Sequence, residues 1–125
     1  MRTFLALLAL IAVSVSLCFA AGSTNITSTE ARALLAKNRQ VLLLDVRTPE
    51  EFRQARLRGA LLIPLGELQK RVSEIPRGRP LLVYCAVGAR SSTAAAILAS
   101  KGYREIYHMS DGLVGWYRQG FPIER

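Results

Sequence analysis

The chain has two cysteines, Cys18 and Cys85, and a single histidine, His108. That inventory excludes a disulfide scaffold and a four-ligand structural zinc site, and it leaves a histidine-rich metal centre without a second imidazole. No metal and no cofactor is therefore expected. Cys85 is the residue whose surroundings can do chemistry. It ends the apolar run Leu81-Leu82-Val83-Tyr84 and opens the short loop Ala86-Val87-Gly88-Ala89, which leads to Arg90 and Ser91. A thiolate between a strand and a helix faces backbone N–H groups and the positive end of the helix, and both lower its pKa. Small residues at 86, 88 and 89 let the backbone curl until several amides meet one sulfur. Taken singly, each feature has a plainer reading: free Cys is commonly a small buried hydrophobe, Gly88 a turn residue and Arg90 a solvated charge. Their coincidence over residues 85–91 points to Cys85 as a nucleophile, with Ala86, Val87, Gly88, Ala89, Arg90 and Ser91 binding the substrate.

The elements that must present this loop alternate along the chain. Thr27 and Glu30 have capping-box spacing, which predicts a helix over 28–37. Val41 to Leu44, Ala60 to Ile63 and Leu81 to Tyr84 are continuous apolar runs, the pattern of strands buried on both faces. Helix-compatible stretches follow them at 48–53, 65–72 and 90–100, the last ending at Lys101-Gly102. A further strand is expected over 105–108 and a short helix over 113–117. This order predicts an α/β fold with a parallel sheet covered on both faces. In such sheets ligands sit at the carboxyl ends of the strands, where Cys85 is placed.

At 125 residues the chain has room for one small domain. Half of it is hydrophobic and 21% is charged, which excludes intrinsic disorder. Residues 1–20 read as a signal peptide: Arg2 supplies a positive head, Phe4 to Val13 an apolar core, and Cys18 and Ala20 are small residues at the minus-three and minus-one positions. The domain then covers 23–125. Cleavage near Ala20 implies a periplasmic or secreted protein with no stable membrane insertion. The alternatives are an uncleaved membrane anchor over Phe4 to Ala21 and lipidation at Cys18, which bulky Leu17 disfavours. Removing the segment takes away only one basic residue from a chain of net charge +8. It also leaves Cys85 as a lone thiol in a compartment where thiols normally pair.

Two motifs in order resemble those of the rhodanese-like domain family. The first is Leu44-Asp45-Val46-Arg47-Thr48-Pro49-Glu50-Glu51-Phe52, followed by Gly59-Ala60 and Ile63-Pro64-Leu65. The second is Val83-Tyr84-Cys85-Ala86-Val87-Gly88-Ala89-Arg90-Ser91, continued by Ala94-Ala95, Leu98, Gly102-Tyr103, Gly112 and Trp116. The resemblance implies a three-layer sandwich of about five mostly parallel strands flanked by helices. It also implies a cysteine that carries sulfur. A signal peptide ahead of one such domain is similar to the small exported rhodaneses of bacteria. The activity implied is a sulfurtransferase: Cys85 takes sulfur from a small anionic donor such as thiosulfate and passes it to cyanide, a small thiol or a protein thiol. The basic surface would steer anionic donors, or serve solubility alone. A module that carries sulfur with little turnover is the second reading.

The weaker alternative is a phosphatase-like or arsenate-handling enzyme; cysteine-dependent phosphatases resemble this pattern but use a longer loop before the arginine and usually place His before the Cys. Here four residues separate Cys85 from Arg90, and Tyr84 precedes the cysteine. Thioredoxin-like exchange lacks its resolving cysteine. The family's usual Gly-His-Ile-Pro stretch is replaced by Ala55-Arg56-Leu57-Arg58, which affects positioning at the edge of the domain. Asp45 and Arg47 are candidates to line the site and are otherwise structural. His108 reads as core or rim, and Trp116 with Tyr117 as packing of the last helix or an aromatic rim for a partner. The scattered basic residues carry no recognition module, so no nucleic acid partner is expected.

Overall fold

The structure, a computed structural model, describes residues 22–125; the expected signal peptide and Cys18 lie outside the described residues. The chain runs β1 (Thr24–Ile26), α1 (Ser28–Lys37), β2 (Leu42–Asp45), α2 (Pro49–Gln54), β3 (Leu61–Leu62), α3 (Leu68–Arg71), β4 (Leu81–Tyr84), α4 (Ala89–Ser100), β5 (Ile106–Met109) and α5 (Gly112–Arg118). The strands form one sheet in the order β1-β5-β4-β2-β3, and every neighbouring pair is parallel.

The apolar runs become strands because helices cover both faces, so neither face needs polar residues. Side chains alternate across β2 and β4. Leu44, Leu81 and Val83 pack with Leu68 of α3 and Ala94, Ala95 and Leu98 of α4. Leu43, Leu82 and Tyr84 pack on the opposite face with Ala31 of α1 and Leu113 and Trp116 of α5. Each fully buried leucine or valine among them contributes roughly 1.5–3 kcal/mol of apolar burial. The result is the expected α/β sandwich of three layers.

Several details differ from the sequence expectation; the strand expected over Ala60 to Ile63, for instance, is only Leu61–Leu62. The first strand, Thr24–Ile26, was not among the predicted strands because it is a short edge strand with Thr24 and Asn25 exposed, and so carries no apolar run. The helix expected over 65–72 is broken into 3-10 turns at Leu65–Glu67 and Val72–Glu74 around α3. There the Tyr103 hydroxyl lies 2.6 Å from Ile75 O and 3.0 Å from Val72 O, meeting carbonyls that a continuing helix would have used. Finally, β2 extends to Asp45, one residue beyond the apolar run.

The substituted stretch 55–58 serves the scaffold. Leu57 is buried and its N–H donates to the Tyr84 hydroxyl at 3.1 Å, while Arg56 forms a backbone bridge with Glu124. Among the described residues no helix is long and apolar enough to cross a membrane.

Candidate active site

Cys85 leaves β4 at its carboxyl end, and the next turn of chain is held by α5. The carbonyls of Cys85 and Ala86 accept the N–H groups of Leu113 and Val114 at 2.9 and 3.0 Å. Gly112 makes this approach possible: its φ is +65°, and a side chain there would collide with the Ala86 carbonyl. With those carbonyls turned outward to α5, the amides that follow turn inward. Gly88 N–H points at Cys85 Sγ at 3.1 Å and Ser91 N–H at 3.3 Å, and the Ser91 hydroxyl is also 3.3 Å from the sulfur. Gly88 adopts φ +102°, and any side chain on it would strike the Ser110 carbonyl. Only glycine closes this loop without strain.

Burial pushes the Cys85 thiol up, but the Ser91 hydroxyl and the Ser91, Gly88 and Val87 amides outweigh it and hold the thiol below its ordinary value. The side chain is fully covered. Two hollows of the described surface lie away from it, one against Arg77, Arg79 and Tyr103 and one against Leu57, Trp116 and Ile123.

The loop residues divide by what they do. Gly88 and Ser91 are buried and bond the sulfur; Val87 lends its amide and points its side chain, 65% exposed, into solvent. Ala86 and Ala89 make no hydrogen bond to the sulfur and supply only small size. Arg90 heads α4, and its charge acts on Cys85, but its guanidinium is taken by Glu51 of α2 in a two-pronged pair of 2.6 and 2.9 Å. That pair, with the Thr48 cap, draws the Glu51 carboxyl down to about 2 against burial that pushes it up.

Glu51 was missed as a site residue. The spacing Thr48-x-x-Glu51 is a capping box, and the structure forms it, so the signal for α2's start was present. Nothing local announces the reach to Arg90 across 39 positions. His108 and Asn25 were also missed. His108 is buried as expected of a core residue, yet its Nε2 lies 2.6 Å from Ser91 Oγ and its Nδ1 2.9 Å from Asn25 Oδ1.

Asp45 and Arg47 bond one another. Arg47 Nη2 donates to Asp45 Oδ2 at 2.7 Å and to Ala55 O at 2.6 Å, and Nε donates to Asp45 Oδ1 at 3.0 Å. Burial lowers the Arg47 pKa, but the Asp45 carboxylate outweighs it and leaves the guanidinium more firmly charged. These bonds tie the end of β2 to the end of α2, and among the described residues none reaches Cys85. Trp116 packs inside and donates Nε1 to Pro122 O at 2.9 Å, whereas Tyr117 is exposed. Among the described residues no group of His, Cys, Asp and Glu is placed to hold a metal ion.

The arrangement gathers backbone amides and a hydroxyl around one sulfur, and the chain that builds it is similar to known proteins. The profile of the rhodanese-like domain matches residues 27–119. The chain is similar to a protein named sulfurtransferase from Allochromatium vinosum, 42% identical over 71% of this chain and 83% of that one. It is also similar to the thiosulfate sulfurtransferase GlpE of Vibrio cholerae, 29% identical over 75% of this chain and 89% of that one. Among solved structures, a rhodanese-related protein from Thermoplasma volcanium superposes with a TM-score of 0.75 at 26% identity, covering 81% of this chain and 97% of that one. With most of its described length matched and its cysteine loop folded around the sulfur, the chain belongs to the rhodanese-like domain family.

Proposed function

We propose that the protein is a sulfurtransferase that moves a sulfane sulfur through a persulfide on Cys85, with thiosulfate or a similar small anion as donor. The observation that carries this reading is the convergence of the Gly88 and Ser91 amides and the Ser91 hydroxyl on one sulfur. The Cys85 thiolate attacks the outer sulfur of thiosulfate. An S–S bond forms, the bond to the sulfonate sulfur breaks, and sulfite leaves with its electron pair. An acceptor, cyanide or a thiolate, then attacks the terminal sulfur, and Cys85 departs as thiolate. Both half-reactions pass through anionic sulfur at the same point, so fixed donors stabilise them without moving. The Ser91, Gly88 and Val87 amides are such donors.

The finer assignments are an exported location and donor preference. The N-terminal segment 1–20 supports secretion to the periplasm or beyond, with a membrane-anchored form as the other outcome. Sequencing the N-terminus of the protein recovered from the periplasmic fraction tests this; a start near Ala21 supports export, and an intact Met1 on membranes opposes it.

A second reading, delivery of sulfur to a protein thiol with little turnover, is favoured by the exposed Val87 at the loop tip. Exposed Val114 follows closely, its N–H bonded to Ala86 O at 3.0 Å. Steady-state production of thiocyanate from thiosulfate and cyanide separates the two. A turnover enzyme continues after the first equivalent, and a carrier loads once and stalls.

A further inference from the structure

His108 is a buried titratable group that the chemistry above leaves unused. It stands on β5 in register with Asn25 of β1 and is 5% exposed. Both ring nitrogens face oxygen. Nδ1 lies 2.9 Å from Asn25 Oδ1, and Nε2 lies 2.6 Å from Ser91 Oγ and 3.2 Å from Gly88 O. A carbonyl oxygen can only accept, so these surroundings suit a ring that carries hydrogen on both nitrogens, the imidazolium.

Ser91 stands between this ring and Cys85, and it has one proton to donate. Beside a bare Nε2 that proton goes to the ring, and the hydroxyl can only accept from the thiol S–H. Beside a protonated Nε2 the hydroxyl accepts from the ring, and its proton is left for Gly88 O at 3.2 Å or the sulfur at 3.3 Å; a charged thiolate is the stronger acceptor of the two.

We infer that Ser91 relays a proton between Cys85 and His108, so that the reactive thiolate forms as one half of an internal pair with the His108 imidazolium. The transfer balances. The S–H bond breaks as its proton passes to Ser91 Oγ, the serine's own proton passes to His108 Nε2, and none is exchanged with solvent. This deepens the proposed sulfur transfer and rests on Cys85 being its nucleophile. His108 touches neither donor nor acceptor and is a positioning residue.

Among the described residues the ring has no other anion to lean on. Its polar neighbours are Asn25 from β1, Gly88 from the loop and Ser91 from α4, none of which titrates. Asp111, just past β5, is bonded to Ser28 at 2.7 and 2.9 Å, and Arg90 is paired with Glu51. Burial lowers the His108 pKa, and the Gly88 carbonyl partly restores it. An imidazolium here persists only while the sulfur is negative.

His108 is the chain's one histidine, so its ring nitrogens give a unique NMR signal. The test is a pH titration of the 15N-labelled protein without any donor, compared with Cys85→Ser. The relay predicts that the imidazolium of the unaltered protein survives to a pH about one unit or more above that of the variant. Equal midpoints would overturn it. A second readout is the pH profile of Cys85 alkylation by iodoacetamide. Ser91→Ala and His108→Gln should each raise the apparent thiol pKa by about one unit, tenfold less thiolate, and the double variant should be no worse than either. Additive shifts, or no effect of His108→Gln, would reduce Ser91 to an independent contact and end the proposal. Failure of thiosulfate to load sulfur while the midpoints differ would overturn the sulfur-transfer reading and leave the relay standing.

Discussion

Asp45–Arg47 and Glu51–Arg90 are both short arginine–carboxylate pairs beyond the carboxyl ends of the strands, yet their surroundings are opposite. The first has side chains 0% and 5% exposed, and the second 31% and 37%. In the first, Arg47 also meets the Ala55 carbonyl, so separating the partners would strand two charges in the interior. In the second, water stands ready to replace either partner, and the pair engages a guanidinium whose charge also acts on Cys85. Identical chemistry thus makes a fixed tie in one place and an exchangeable pair in the other, and burial decides which.

The largest expected effect breaks the buried pair. Arg47→Met leaves Asp45 uncompensated and should cost roughly 3–5 kcal/mol in urea unfolding, with part of the loss restored by adding Asp45→Asn. A loss no larger than that of a surface pair would erase the contrast. Next, Arg90→Ala should reduce the rate of sulfur loading from thiosulfate about tenfold while changing stability by less than about 1 kcal/mol. A variant that unfolds instead would move Arg90 to the scaffold side.

Acid sharpens the same comparison. The Arg90 guanidinium lowers the Glu51 carboxyl from 4.5 to about 2. The unfolded chain therefore takes up the proton first, and stability rises with pH across that window. The contribution is complete above about 4.5 and is lost as the pH falls toward 2. Being partly exposed, it is worth less than about 1 kcal/mol. Urea unfolding from pH 5 down to pH 2 should show a shallower fall for Glu51→Gln than for the unaltered protein. The smallest effect is functional: Glu51→Gln keeps the helix cap, frees Arg90 and should lower the KM for thiosulfate about twofold to threefold. An unchanged or higher KM would mean that the pair orders the loop and does not restrain its charge.

What was legible in the sequence was what is local. Strands β2 and β4 announced themselves as apolar runs because both faces are covered, and Cys85 with its small-residue loop occupies consecutive positions. The spacing of Thr27 and Glu30 predicts a capping box, and the structure forms it; Thr48 and Glu51 have the same spacing and form the second. Strand β1 carried no pattern because an edge strand exposes two of its three residues. The contacts that complete the site join residues far apart in the chain. Glu51 meets Arg90 only once α2 and α4 are in place, and Asn25 meets His108 only through the register of β1 on β5. No spacing rule reaches across such distances. His108 reads as core or rim in the sequence and is buried in the structure; what the sequence hid was the serine between it and the sulfur.

The most direct test of the persulfide is the intact mass of the domain after incubation with thiosulfate and removal of excess donor. The account predicts a gain of a single sulfur atom, reversed by cyanide and absent from Cys85→Ser. An unchanged mass in the unaltered protein, or the same gain in Cys85→Ser, would contradict it.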